Sequence, residues 1–155
     1  MNRLFDGPGP AAKPAGATAT AAFVAGGLLV IWLSYIHFHL WQSLGYRHIP
    51  TIGALFLAQS IAGLVLGLVV MVVRRVWAAV VGAGFSVATM VGFLISVEHG
   101  LFGFTDSWSA PFARTAFAVE IATVVVFIVA AVCCLARSAQ TGRTGTAASA
   151  SPSGA

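Results

Sequence analysis

Residues 113–135 read ARTAFAVEIATVVVFIVAAVCCL, an apolar run broken by one acidic residue, Glu120. At 1.5 Å rise per residue a helix of this length crosses a hydrocarbon core of about 30 Å. Strands of an outer-membrane barrel are about half as long and alternate in polarity, which this run does not. Three more runs of the same kind precede it, at about 22–41, 52–73 and 76–97. The expected fold is all-α: a polytopic membrane protein built as an antiparallel four-transmembrane-helix bundle.

Composition points the same way. Of 155 residues 59% are hydrophobic and only 8% charged, with a mean hydropathy of +0.94. Soluble domains carry about 25% charged residues, so this chain lacks the polar groups to cover a water-facing globule. The expected main partner is the lipid bilayer. A net charge of +4 does not imply nucleic acid, because the basic residues sit at the ends of apolar runs and form no aromatic-interleaved patch.

The flanks are of a different character. Residues 1–20 carry Pro8, Pro10 and Pro14 among Ala, Gly and Thr, and residues 137–155 are mostly Ser, Thr, Gly and Ala. Both read as disordered cytoplasmic tails around a transmembrane domain at 21–136. The first apolar run is expected to be retained as a helix rather than cleaved as a signal, since it continues into His37-Phe38-His39-Leu40-Trp41, too bulky for signal peptidase. Cys133 and Cys134 are too few for a disulfide framework and read as small packing residues.

Lys and Arg set the orientation. Arg3, Lys13, Arg74, Arg75, Arg137 and Arg143 lie on one side, against Arg47 and Arg114 on the other. The six-charge side is the expected cytoplasmic one, with both termini inside. Small residues spaced by four, Gly63 with Gly67, Ala78-Gly82-Ser86 and Ala88-Gly92-Ser96, read as close-packing faces between helices and allow a homo-oligomer or a membrane-protein partner.

Chemistry concentrates in the outer half. Glu120 is about seven residues into its helix, deep enough for a carboxylate to be costly unless it faces the bundle interior. His37, Gln59 and Ser96 offer one polar group from each of the other helices at similar depth, and opposed Cβ tilts bring His37 towards Glu120. His37, Gln59, Ser96 and Glu120 are the expected intramembrane polar cluster. It reads either as a hydrogen-bond network joining helices or as a functional site. His37 and His39 fall on opposite helical faces, so a metal or haem site would instead combine His37 with His99 and Glu98, through Zn, Cu or haem iron. No cofactor is expected, and no Walker, Rossmann, nucleophile-elbow or H-E-x-x-H signature occurs. Thr51 and Ser109 are the expected helix N-caps, with Pro111 in the first turn of the last helix. Asp106 or Glu98 is expected to pair with Arg47 or Arg114 at the surface.

The stretches HLWQSLGYRHIPTIGALFLAQ (39–59) and SVEHGLFGF (96–104), followed by Glu120, resemble uncharacterised four-helix integral membrane proteins of actinobacteria. The resemblance covers most of 22–135. It implies the four-helix topology and a bacterial plasma membrane, and carries no activity. The functional expectation is an integral membrane protein that is a non-enzymatic accessory or interaction subunit. The alternatives are a small transporter or proton-linked module using Glu120 and His37, and a haem- or metal-binding membrane protein using His37 and His99.

Cysteines introduced at Ser43 and Ser107 should react with an impermeant maleimide in intact cells, and one at Thr144 should not. Labelling at Thr144 alone would reverse the orientation.

Overall fold

The computed structural model describes residues 16–149, with side chains to Gln140. The expected tails at 1–15 and 150–155 lie outside the described residues. Four helices account for the fold: α1 (Ala17–Ser43), α2 (Ile52–Val73), α3 (Val76–His99) and α4 (Ala113–Ser149). Each is long and apolar enough to cross a membrane, α4 over Ala113–Gln140. Their outward faces are apolar, with Ile61 57%, Val72 77% and Val80 62% exposed. A monomer in water rarely shows so much contiguous apolar surface. Lipid is the solvent these faces suit.

The helix ends differ from the sequence expectation in four places, one of them the end of α1, at Ser43 rather than about Trp41. α1 starts at Ala17 rather than near residue 22, because the Ala-Thr-Ala-Thr-Ala run after Pro14 contains no breaker and buries Ala19 and Ala22. α3 extends through Glu98 and His99 and stops at Gly100, whose φ of 77° is left-handed. α4 continues past Leu135 to Ser149; the sequence there holds Ala and Arg, good helix formers, and its next proline is Pro152.

Two expected caps are absent. Thr51 occupies the N-cap position of α2 but makes no side-chain cap hydrogen bond, and its φ is 64°. Ser109 does not cap α4; its N–H and hydroxyl are engaged with the Ser107 hydroxyl, and Pro111 lies in the turns before Ala113. Phe112, at φ 62°, makes the bend into the helix instead.

α1 is the central element. It packs along α2 on one side and α4 on the other, while α3 packs mainly on α4, and contact between α2 and α3 is slight. Glycines set these distances. Gly27 and Gly67 let α1 and α2 meet backbone to backbone: a Cβ built on either would lie 2.7 Å from the other's carbonyl oxygen. On α4, Phe127 is 1% exposed, and its ring lies against Gly26 of α1 and Gly82 of α3. A Cβ on Gly26 would stand 2.6 Å from that ring, and one on Gly82 closer still. Phe23, Val30, Val70, Ala78, Ala79 and Ala130 complete an apolar core about this ring.

A methyl group at Gly82 therefore has nowhere to go, since the ring it meets is held from behind by α1. Gly82→Ala should destabilise the folded chain in detergent by about 1–3 kcal/mol through overpacking. Gly84→Ala, with open space around it, should be neutral or stabilising by up to about 1 kcal/mol from helix propensity. Thermal unfolding of the two variants checks this; equal behaviour would contradict the packing described.

Candidate functional site

Near the end of the bundle that carries the α1–α2 and α3–α4 connections, His37 and Glu120 line one partly enclosed cavity of about 50 Å³. One water takes roughly 10–15 Å³ on such a measure, so the space suits an occupant of a few heavy atoms. The register of the bundle explains the meeting. With Gly26 and Gly82 both facing Phe127, the antiparallel pairing sets Thr89 of α3 level with Glu120 and His37 of α1 about one turn above it. Glu120, Thr123, Phe127 and Ala130 are all buried and form the inward stripe of α4. Phe127 thus sits about 10 Å below Glu120, at 1.5 Å per residue, beneath the cavity and outside its lining.

Glu120 is 2% exposed, and its carboxyl makes no hydrogen bond or ion pair with any described residue. His37 is also buried, but its Nδ1 donates to the Leu33 carbonyl at 2.8 Å. In the neutral ring that bond leaves Nε2 as an acceptor. The ring rests on Phe56, 5.2 Å between centroids. His37 and Glu120 share a cavity without touching.

The other two members of the expected cluster point elsewhere. Gln59 donates to the Thr89 hydroxyl at 2.7 Å, and Thr89 in turn donates to the Phe85 carbonyl. This is a direct side-chain tie between α2 and α3, the pair with little other contact. Ser96 faces the connection that follows it: its hydroxyl donates to the Phe104 carbonyl and accepts from the Asp106 N–H. Ser34, Ser60 and Thr123 each return a hydrogen bond to their own helix four residues back. The Ser86 hydroxyl, fully buried, has no partner in the structure.

Besides Thr89 of α3, sequence reasoning missed two polar residues of the lining, Tyr46 and Asp106. Both come from connections folded back over the bundle. Leu101 and Phe104 exchange backbone hydrogen bonds across Phe102 and Gly103, both at positive φ, the signature of a tight primed hairpin turn. Ser96 then fixes Asp106 against the cavity. The Gly100-x-x-Gly103 spacing was the available signal. Asp106 is not in a surface ion pair; Arg47 instead donates to the His48 ring, and the Asp106 carboxylate accepts from Ser107 N–H at 2.8 Å. Tyr46, in a 3-10 turn at Tyr46–His48, stacks on Phe56 at 4.7 Å and meets Phe104 edge-on. Elsewhere in the lining, Phe93 and Phe117 tilt against one another, and behind them each meets Trp108 edge-on.

Glu98 and His99, the other candidate metal ligands, are exposed on the last turn of α3, away from buried His37. Among the described residues no three His, Cys, Asp or Glu side chains are grouped to hold a metal ion. A 50 Å³ cavity is also far smaller than a haem. Cys133 and Cys134 are free thiols, half-buried, with Cys134 packed against the apolar core.

Compared with models of protein families, with curated proteins and with solved structures, the chain matches none.

Burial pushes the Asp106 carboxyl above its ordinary 3.8, against the Ser107 bond, which pulls it down. Burial, and then the neighbouring Asp106 carboxylate, likewise raise the Tyr46 phenol. The folded chain therefore binds the Asp106 proton more tightly than the unfolded chain does. Stability from this group is full below about pH 4 and is lost as pH rises through the raised folded value. Asp106→Asn removes that loss, so the variant should gain on wild type in unfolding midpoint as pH rises above about 4. A wild-type-to-variant difference that is the same at every pH would contradict this.

Proposed function

We propose that the chain is a non-enzymatic accessory or interaction subunit of the bacterial plasma membrane, with both termini in the cytoplasm and a proton-responsive site, Glu120 with His37, open to the outside only. The observation that carries this reading is the Glu120 carboxyl, buried, without a partner among the described residues and lining a small cavity, with apolar packing around Phe127 about two turns beneath it. A carboxylate within a membrane needs a counter-charge, supplied by a proton or by a cation. The cavity lies at the end bearing the two longer connections, the end that the distribution of Lys and Arg favours as the outer one.

The lining favours binding over catalysis. It contains no Ser or Cys nucleophile, and the hydroxyl of Thr89 is committed to a helix carbonyl. The apolar core below speaks against a through-path: Phe23, Val30, Val70 and Ala130 surround the Phe127 ring, and none carries a group that relays a proton. A proton-linked site without a path supports a subunit that responds to outer conditions, by changing how the α3–α4 connection sits or what it contacts.

The test uses protein reconstituted in vesicles with known orientation, observed by infrared difference spectroscopy. A carboxyl band should respond to a pH step on the outer side, be unmoved by one on the inner side, and be missing in Glu120→Gln. The vesicles should show no added proton flux. Absence of the band, a response from both sides, or flux that Glu120→Gln abolishes would each overturn the reading, the last two in favour of a transporter.

A further inference from the structure

We propose that the Glu120 cavity binds a small nitrogen cation, ammonium or a primary alkylammonium no larger than methylammonium. The proposal rests on the reading of this cavity as a site open to the outside, and it names the occupant.

Three features of the lining select that chemistry. The first is its hydrogen-bonding sense. Glu120 offers two acceptor oxygens with no protein donor, Asp106 keeps one oxygen beyond its bond to Ser107, and His37 presents Nε2 because Nδ1 is spent on Leu33. Thr89 has already used its proton on Phe85. Apart from the Tyr46 hydroxyl, which both donates and accepts, the lining side chains offer acceptors alone. The complement is an occupant rich in N–H donors.

Charge is the second feature. Two carboxyl groups line the cavity, and no Lys or Arg does. An anionic or zwitterionic ligand would meet Glu120 with nothing to hold its negative end, whereas N⁺–H donors to carboxylate oxygens form the short, strong class of hydrogen bond.

The third is the wall. Tyr46, Phe56, Phe93, Phe112 and Phe117 surround the polar groups, and an aromatic face attracts a desolvated cation lying within about 6 Å of its centroid. Size then limits the choice. About 50 Å³ admits ammonium or methylammonium and excludes choline or a polyamine. Potassium resembles ammonium in charge and size but has no donors to direct at Nε2 and the carboxylate oxygens, and its hydration by water is not replaced by so few oxygens.

Calorimetric titration of the full chain in nanodiscs with ammonium chloride near pH 7 tests the proposal, with methylammonium, potassium and tetramethylammonium chlorides as comparison. We expect saturable binding of one ammonium per chain, binding of methylammonium, and at least about tenfold weaker binding of potassium and tetramethylammonium. Glu120→Gln should abolish the signal. Asp106→Asn, which leaves all four helices untouched, should weaken binding about tenfold, so a folding defect in the first variant does not shield the proposal. No saturable ammonium binding, potassium binding as tight as ammonium, or full binding in Asp106→Asn and Glu120→Gln would each overturn it. Should ammonium fail to bind while the Glu120 carboxyl still answers to outer pH, the choice of occupant is wrong and the site stands. Should the carboxyl answer to no pH step, the site reading itself fails.

Discussion

The seating of one aromatic ring organises the molecule. Phe127 reaches from α4 between α1 and α3 at two positions, Gly26 and Gly82, where neither neighbour has a side chain. In lipid the hydrophobic effect does not drive helices together, because acyl chains are as apolar as leucine; close packing must do it. A ring held by two glycines gives dense contact without a polar atom, and the missing Cβ atoms let α1 and α3 approach α4 closely. The α1–α2 pair uses the same device without the ring, through Gly27 and Gly67.

That contact also fixes what lies above it. Once Phe127 is level with Gly26 and Gly82, helical rise leaves no choice about which residues share the height of Glu120. Above the ring, the helices carry the buried polar groups, Ser86 and Thr123 first and then Glu120 and His37. The connections complete the site: a glycine hairpin and the Ser96 hydroxyl turn Asp106 inward, and the 3-10 turn at Tyr46 lays a phenol beside it. Stability and site geometry therefore draw on the same contacts. A site built in this way can change charge without disturbing the core, since two helical turns separate Glu120 from the ring.

Much of this was legible in the sequence, and the reasons for the rest are physical. Apolar length alone revealed the four helices, because few residue patterns other than a spanning helix maintain it for 20 residues or more. Glu120 and His37 stood out because ionisable groups are rare at such depth. Gln59 and Ser96 were misassigned for want of rotation: depth can be counted along a helix, but a helix in lipid with apolar residues on every side gives little sign of which face turns inward. Gln59 turns to Thr89, and Ser96 to the loop beyond it. Asp106 and Tyr46 were hidden because a connection that folds back leaves no periodic trace. The glycines were visible as small-residue spacings, yet nothing in their pattern named Phe127 as the side chain they receive. The length of α4 beyond Leu135 was missed for a simpler reason, since a polar end with Gly142 and Gly145 reads as a tail although no proline interrupts it before Pro152.

The central claim is that the Glu120 cavity communicates with one side of the membrane and that the apolar packing around Phe127 separates it from the other. It is tested most directly by side-specific access to a thiol at that position. In a chain whose native cysteines are replaced, Glu120→Cys is exposed to silver ion from either side of oriented vesicles, and the remaining thiol is counted by maleimide labelling after denaturation. Protection is expected from silver added outside, none from silver added inside, and protection from both sides once Phe127→Ala loosens the apolar packing beneath the cavity. Equal protection from both sides with Phe127 in place, or none from outside, would contradict it.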